Sequence, residues 1–246
     1  KRRTESVVQP RVGKDNHQLR ARHHSPMLQI YDKLLELPLF LGIGAEDLSQ
    51  IVGSTKFSFL KLKPNAVLLK ENDKCTQLYF LMDGKLSVRS QADDHSYSIE
   101  EEIDAPAVIQ PEHMFGLMQH HSKTYTAATD CNLLSIDKNE ILRLSENYLI
   151  FRLNFLNMLS TQAQRHGRLP WQQQPRHIRD KFIHFVRTHC SHQGGTKKIE
   201  IKMQKLADEI HESRLNVSVM LNRLNDEKLI ILTRGQIIIP QLEKLR

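Results

Sequence analysis

The apolar positions of this 246-residue chain change period several times. From Pro26 onward, Met27, Leu28, Ile30, Tyr31, Leu34 and Leu35 recur on one broad helical face. That face ends near Leu37-Pro38, because the residue before a proline is pushed out of helical conformation. A second short helix follows Gly44, through Leu48, Ile51 and Val52. The period then shortens to that of strands. Eight apolar stretches, at 56–62, 66–69, 77–82, 86–89, 97–102, 108–109, 125–128 and 133–136, alternate with turn signals. Lys63-Pro64-Asn65 fits a turn, and Asp83-Gly84 reads as the type I′ turn of a β-hairpin, since glycine accepts positive φ freely. Strands of this number and length predict a β-sandwich or jelly-roll barrel.

Helical spacing returns after the barrel, and a long helix is predicted over 145–164. Leu142, Leu149, Leu156 and Ala163 repeat at seven, while Leu153, Leu159, Phe151 and Phe155 widen the apolar surface beyond one stripe. One face of such a helix can lie on the barrel, and the other can meet its own copy across a twofold axis. Leu149, Leu153, Leu156 and Ala163 are therefore the candidate dimer contacts, with a core helix in a monomer as the alternative. Gly167 and Pro170 predict its end, and residues 171–175 read as a hinge.

Residues 203–224 carry the most specific local pattern. Leu206, Ala207 and Ile210 form the apolar face of one short helix, and Val217, Met220, Leu221 and Leu224 that of a second. Ala207 is small where two crossing helices must approach, and Ser213 can cap the second helix with its hydroxyl. This is helix-turn-helix spacing, with Arg214 opening the recognition helix. Ser213, Arg214, Asn216, Ser218 and Asn222 stand off the buried face, and residues near the start of such a helix reach base edges in the major groove. The fork of the Arg214 guanidinium suits guanine O6 and N7, and Asn216 can read adenine or hold a phosphate. Residues 229–232 and 237–239 flank a turn containing Gly235 and make a wing. Arg234 at its tip, with Lys202, Gln204 and Lys205 at the first helix, supplies candidate phosphate contacts. Upstream, Ile178, Phe182, Phe185 and Val186 stand at helical spacing and complete a winged-helix core.

Length and a 39% hydrophobic content give one or two domains with real cores and exclude global disorder. The longest uninterrupted apolar run, 78–82, is far shorter than the ~20 residues a membrane helix needs. Lys1, Arg2 and Arg3 are followed by polar residues without the apolar run of a signal peptide, which predicts a cytoplasmic chain. Cys75, Cys131 and Cys190 make neither a zinc spacing nor a disulfide framework, and His113, His120 and His121 lack a second clustered ligand, so no metal or other cofactor is expected. Charge is segregated behind a total of +7: residues 1–25 carry net +5, 26–150 net −7 and 151–246 net +9. An acidic middle joined to a basic C-terminal third points to one part that meets a polyanion and another that does not. Double-stranded DNA is the leading partner, and 1–25 reads as a basic flexible arm.

In this order of parts the chain resembles the Crp/Fnr superfamily of bacterial transcription regulators, over about residues 34–240. The matching stretches are Leu39-Phe40 with Gly44 and Leu48, 65–71, Leu78-Tyr79-Phe80 through Gly84, the long helix, and the C-terminal unit with Ser213-Arg214. The resemblance implies an α+β chain. It would comprise an N-terminal double-stranded β-helix barrel, jelly-roll or cupin-like and cyclic-nucleotide-binding-like (26–144), a long dimerisation helix and hinge (145–170), and a C-terminal winged helix-turn-helix (171–246). It further implies a homodimer on a palindromic operator, with RNA polymerase as a further partner. Cyclic-nucleotide-binding members hold the phosphate with a Gly-Glu-Leu pattern followed by Arg-Ser or Arg-Thr. Here the region reads Gln110-Pro111-Glu112, then Ser122-Lys123-Thr124. Glu112 matches, Pro111 removes an amide donor, and Lys123 replaces the bidentate fork with a point charge. Glu112, Lys123 and Thr124 thus form the candidate effector pocket of a degenerate cassette, and cAMP dependence is not expected.

The expected function is a sequence-specific DNA-binding regulator, its small-molecule effector unidentified. Alternatives are a cyclic-nucleotide-responsive activator and, from another class, a protein-interaction module. A metal-dependent enzyme has no HExxH, paired-carboxylate or phosphate-loop motif behind it, so no catalytic residue is assigned.

Overall fold

The computed structural model describes residues 26–168, 171, 173 and 175–245. The basic arm expected at 1–25 and the break expected at Pro170 lie outside the described residues. Two helices, α1 (Pro26–Glu36) and α2 (Ala45–Ser54), precede the strands. Leu34, Leu37, Leu39, Phe40, Leu48 and Ile51 from this region are fully buried against Leu78 and Phe80 of the barrel.

All eight predicted barrel strands form: β1 (Ser58–Leu62), β2 (Val67–Leu69), β3 (Gln77–Asp83), β4 (Lys85–Gln91), β5 (Tyr97–Asp104), β6 (Ala107–Ile109), β7 (Thr124–Ala127) and β8 (Cys131–Asp137). They make two antiparallel layers, one in the order β1-β8-β3-β6 and one running β5-β4-β7-β2. Leu81, Leu86, Val88, Ile103, Tyr125 and Leu133 are buried in the core these strands form. Lys63-Pro64-Asn65 turns as expected, with Asn65 at φ 70°. Asp83-Gly84 does not close a hairpin. β3 pairs with β6 and β8, whereas β4 pairs with β5 and β7, so the chain changes sheet at this point. Gly84 is needed at the corner itself: its φ is +92°, and a Cβ there would stand 2.3 Å from the Asp130 carbonyl oxygen.

The single helix expected over 145–164 is two. α3 (Lys138–Asn147) is capped by the Asp137 carboxylate, which accepts from the Glu140 amide at 2.9 Å. The extended backbone at Tyr148, φ −123° and ψ 102°, separates it from α4 (Leu149–Arg168). Leu142 therefore lies on a different helix from the rest of its seven-residue repeat. α4 runs to Arg168, one residue past Gly167, close to the end that the glycine predicts. Phe151 and Phe155 turn inward, Phe151 onto Phe40 at 5.5 Å between ring centres. Leu149, Leu153 and Leu156 are about half exposed.

The remaining elements are α5 (Ile178–His189), β9 (Lys197–Ile201), α6 (Met203–Glu209), α7 (Arg214–Asp226), β10 (Ile231–Thr233) and β11 (Gln236–Ile239). Phe182, Val186, Leu206, Val217, Leu221 and Ile239 share their core. This unit is joined to the barrel by more than a hinge. β9 pairs along β5, from Tyr97 opposite Ile201 to Glu101 opposite Lys197, giving one seven-stranded sheet, β10-β11-β9-β5-β4-β7-β2. Ile99 of β5 belongs to the C-terminal core and Ile103 of the same strand to the barrel core. No helix among the described residues is long and apolar enough to cross a membrane.

Candidate nucleic-acid interface

The α6–turn–α7 unit is built as its apolar spacing dictates. Ala207, fully buried, lets the two helices cross closely, and the Ser213 hydroxyl accepts from the Asn216 amide at 3.1 Å, fixing where α7 starts. Val217, Met220, Leu221 and Leu224 face the core. Arg214, Asn216 and Asn222 are exposed and Ser218 half-buried. Arg234 is exposed at the β10–β11 turn beside Gly235, whose φ is +78°. Lys202 precedes α6 and is exposed, while Gln204 donates to Asp208 at 2.9 Å.

Lys205 is engaged with the barrel rather than held out to solvent. Its ammonium is 2.9 Å from Glu209 and 3.2 Å from Asp94, at the β4–β5 turn, and it stands 5.9 Å from the Tyr97 ring centre. Ser96 and Lys205 bond the Asp94 carboxylate and hold it down to about 2, and Glu209 with Asp94 raises the Lys205 ammonium. Arg89 on β4 reaches Glu200 on β9 at 2.9 Å, and an open cleft of about 240 Å³ lies between the β4–β5 strands and Gly235, lined by Arg89, Tyr97 and Lys202 among others.

Each candidate effector residue has its own partner. Lys123 hydrogen-bonds the Ser191 hydroxyl and stands 3.6 Å from Glu101. Thr124 accepts the Glu71 amide at 3.1 Å, and Glu112 lies 3.9 Å from the His113 ring. Lys123, in the place where the resembling family keeps its phosphate arginine, is thus turned toward the C-terminal unit. Pro111 opens a short 3-10 turn behind Gln110, whose φ is 42°. Gln110 and His121 bond at 3.0 Å, and burial, then the nearby His113, lowers the His121 imidazole.

What holds Lys123 is a buried carboxylate that the strand pattern contained. Ile99, Glu101 and Ile103 alternate on one face of β5, so Glu101 is an inward charge in need of partners. It is 2% exposed and receives the amides of Ser191 at 2.9 Å and His192 at 3.1 Å, and the fully buried ammonium of Lys197 at 3.1 Å. Burial raises the carboxyl, but His192, Ser191, Lys197 and Lys123 together outweigh it and hold the group well below the usual carboxylate range. Every one of those partners except Lys123 belongs to the C-terminal unit.

The family model of the cyclic nucleotide-binding domain matches residues 59–148. No curated protein matches the sequence. Among solved structures, the catabolite activator protein of Thermus thermophilus is similar at 17% identity, over 85% of this chain and 96% of its own, with a TM-score of 0.48. DNR from Pseudomonas aeruginosa is similar at 19% identity over 87% and 95% of the two chains, at 0.42. A Eubacterium rectale protein described as a Crp/Fnr-family transcriptional regulator is similar at 17% over 85% and 95%, at 0.47. The matched stretch runs from β1 through α3, that is, the barrel strands and the first helix after them.

Proposed function

We propose that the chain is a sequence-specific DNA-binding transcription regulator of the Crp/Fnr type, acting as a homodimer in the cytoplasm, rather than an enzyme. The observation that carries this reading is the α6–turn–α7 unit. Arg214, Asn216, Ser218 and Asn222 stand off its buried stripe, Arg234 is exposed beside it, and the whole belongs to a C-terminal third of net charge +9. In this reading residues 171–246 are a winged helix-turn-helix. α7 enters the major groove N-terminus first, Ser213 and Asn216 fix its start against a phosphate, and Arg214 reads guanine. Lys202, Gln204 and Arg234 hold the backbone, while Lys205 stays paired with Glu209 and Asp94. The half-exposed leucines of α4 support a twofold partner: Leu149, Leu153 and Leu156, continued by Ala163, make the dimer seam, which matches protein symmetry to a palindromic operator.

The barrel, 26–144, serves as a sensor that does not depend on cAMP or cGMP, since Lys123 is committed to Glu101 and Ser191. The reading that competes with it is a cyclic-nucleotide-responsive activator, favoured by the family match and the retained Glu112. Micromolar cAMP or cGMP would then raise the melting temperature.

The test of DNA binding is a salt titration against enriched duplexes. Arg214→Ala is expected to lower affinity for the enriched site by roughly tenfold or more while leaving random duplex little changed. Arg234→Ala is expected to weaken every duplex alike and reduce the slope of log K on log salt by about 1. Unchanged preference in Arg214→Ala defeats its base-reading role.

A further inference from the structure

Two residues that the helix-turn-helix pattern leaves unexplained sit at the centre of the exposed face of α7. Leu215 is 73% exposed and Val219 62% exposed. At 100° per residue the buried stripe of Val217, Met220, Leu221 and Leu224 is centred almost opposite both of them. Arg214 and Asn216 stand about a quarter turn or more to either side of that centre, and Asn222 adjoins it. Asp226 continues the same face but is acidic, and Arg223 is paired with Glu227 at 3.2 Å, so only the first two turns of the face combine open apolar groups with groups suited to DNA.

Large side chains held in water at the point of closest approach to a groove need an apolar partner, and the major groove offers one only, the thymine C5 methyl. We propose that Leu215 and Val219 read thymine methyl groups, so that each half-site carries one or two thymines beside the base contacted by Arg214. This rests on the DNA-binding reading above and assigns its sequence class. Lys202, exposed just before α6, would help place the helix on the phosphates, and the apolar pair would then discriminate between thymine and the methyl-less pyrimidines.

The experiment isolates the methyl group. The full chain is used to enrich duplexes from a random pool, and each thymine of the enriched site is replaced in turn by deoxyuridine, which removes the methyl and leaves base pairing intact. At one or two positions per half-site the replacement is expected to weaken binding about three- to fivefold, the worth of one sheltered methyl. Leu215→Ala is expected to abolish the penalty at one of these positions and Val219→Ala at the other, while Arg214→Ala leaves both penalties in place. Tight binding of the enriched site with every deoxyuridine tolerated within twofold overturns the methyl contact but not DNA binding, as do penalties that persist in both alanine variants. Failure to enrich any duplex overturns DNA binding and the methyl contact together.

Discussion

Glu101 is the residue on which the two parts of the chain meet. Its carboxylate is buried, and two backbone amides, Lys197 and Lys123 supply its hydrogen bonds and charge. Removing the charge strands a fully buried ammonium at Lys197, which costs far more than the pair itself contributes. Glu101→Gln is expected to lower the stability of the chain by about 3 kcal/mol, read as a fall in denaturant midpoint at neutral pH. The pH dependence follows from the direction of the shift. A carboxyl held below its ordinary value contributes stability that is complete above about 4.5 and is lost only as pH falls toward the depressed folded value. The wild-type midpoint should therefore include an acid-side loss below pH 4.5 that Glu101→Gln lacks. Equal acid sensitivity in the two proteins would show that the carboxylate is not the group responsible. The alternation Ile99-x-Glu101-x-Ile103 is the local signal from which an inward charge could be read. Its partners were not legible, because Ser191 and Lys197 lie ninety or more residues away and nothing local ties them to β5.

Elements were legible to the degree that their cause is local. The eight barrel strands are set by period-two alternation and turn residues, and α6 and α7 by their apolar spacing and the Ser213 cap. Two expectations failed for reasons that are not local. Asp83-Gly84 has the chemistry of a hairpin turn but serves as a corner between sheets, because periodicity states which face of a strand is buried and not which strand lies beside it. A seven-residue repeat running through Leu142 and Leu149 hid the interruption at Tyr148. The helix that remains, α4, places its phenylalanines and Leu159 on the barrel and leaves Leu149, Leu153 and Leu156 about half exposed. Leu149→Glu combined with Leu156→Glu is expected to convert a dimer to a monomer in sedimentation without a fall in thermal midpoint for the monomer fold, since both positions are already about half exposed. A double variant that still sediments as a dimer removes α4 from the interface.

At the scale of the whole molecule, the barrel and the C-terminal unit form one continuous sheet across β5 and β9, with Tyr97 and Ile99 of the barrel strand packed into the C-terminal core. Tyr97 bonds His189 at 3.1 Å and packs tilted against Phe185 at 5.6 Å between ring centres, so β5 touches α5 directly as well as pairing with β9. Lys123, the residue best placed by sequence to meet a cyclic phosphate, is used to hold that junction together. The measurement that tests this account most directly is fluorescence anisotropy of the protein against an enriched palindromic duplex, with and without saturating cAMP. Tight binding without nucleotide, unchanged when cAMP is added, is the predicted result. Binding that appears only with cAMP would contradict it, because Lys123 would then have left Glu101 and Ser191 to do the work of the family's arginine.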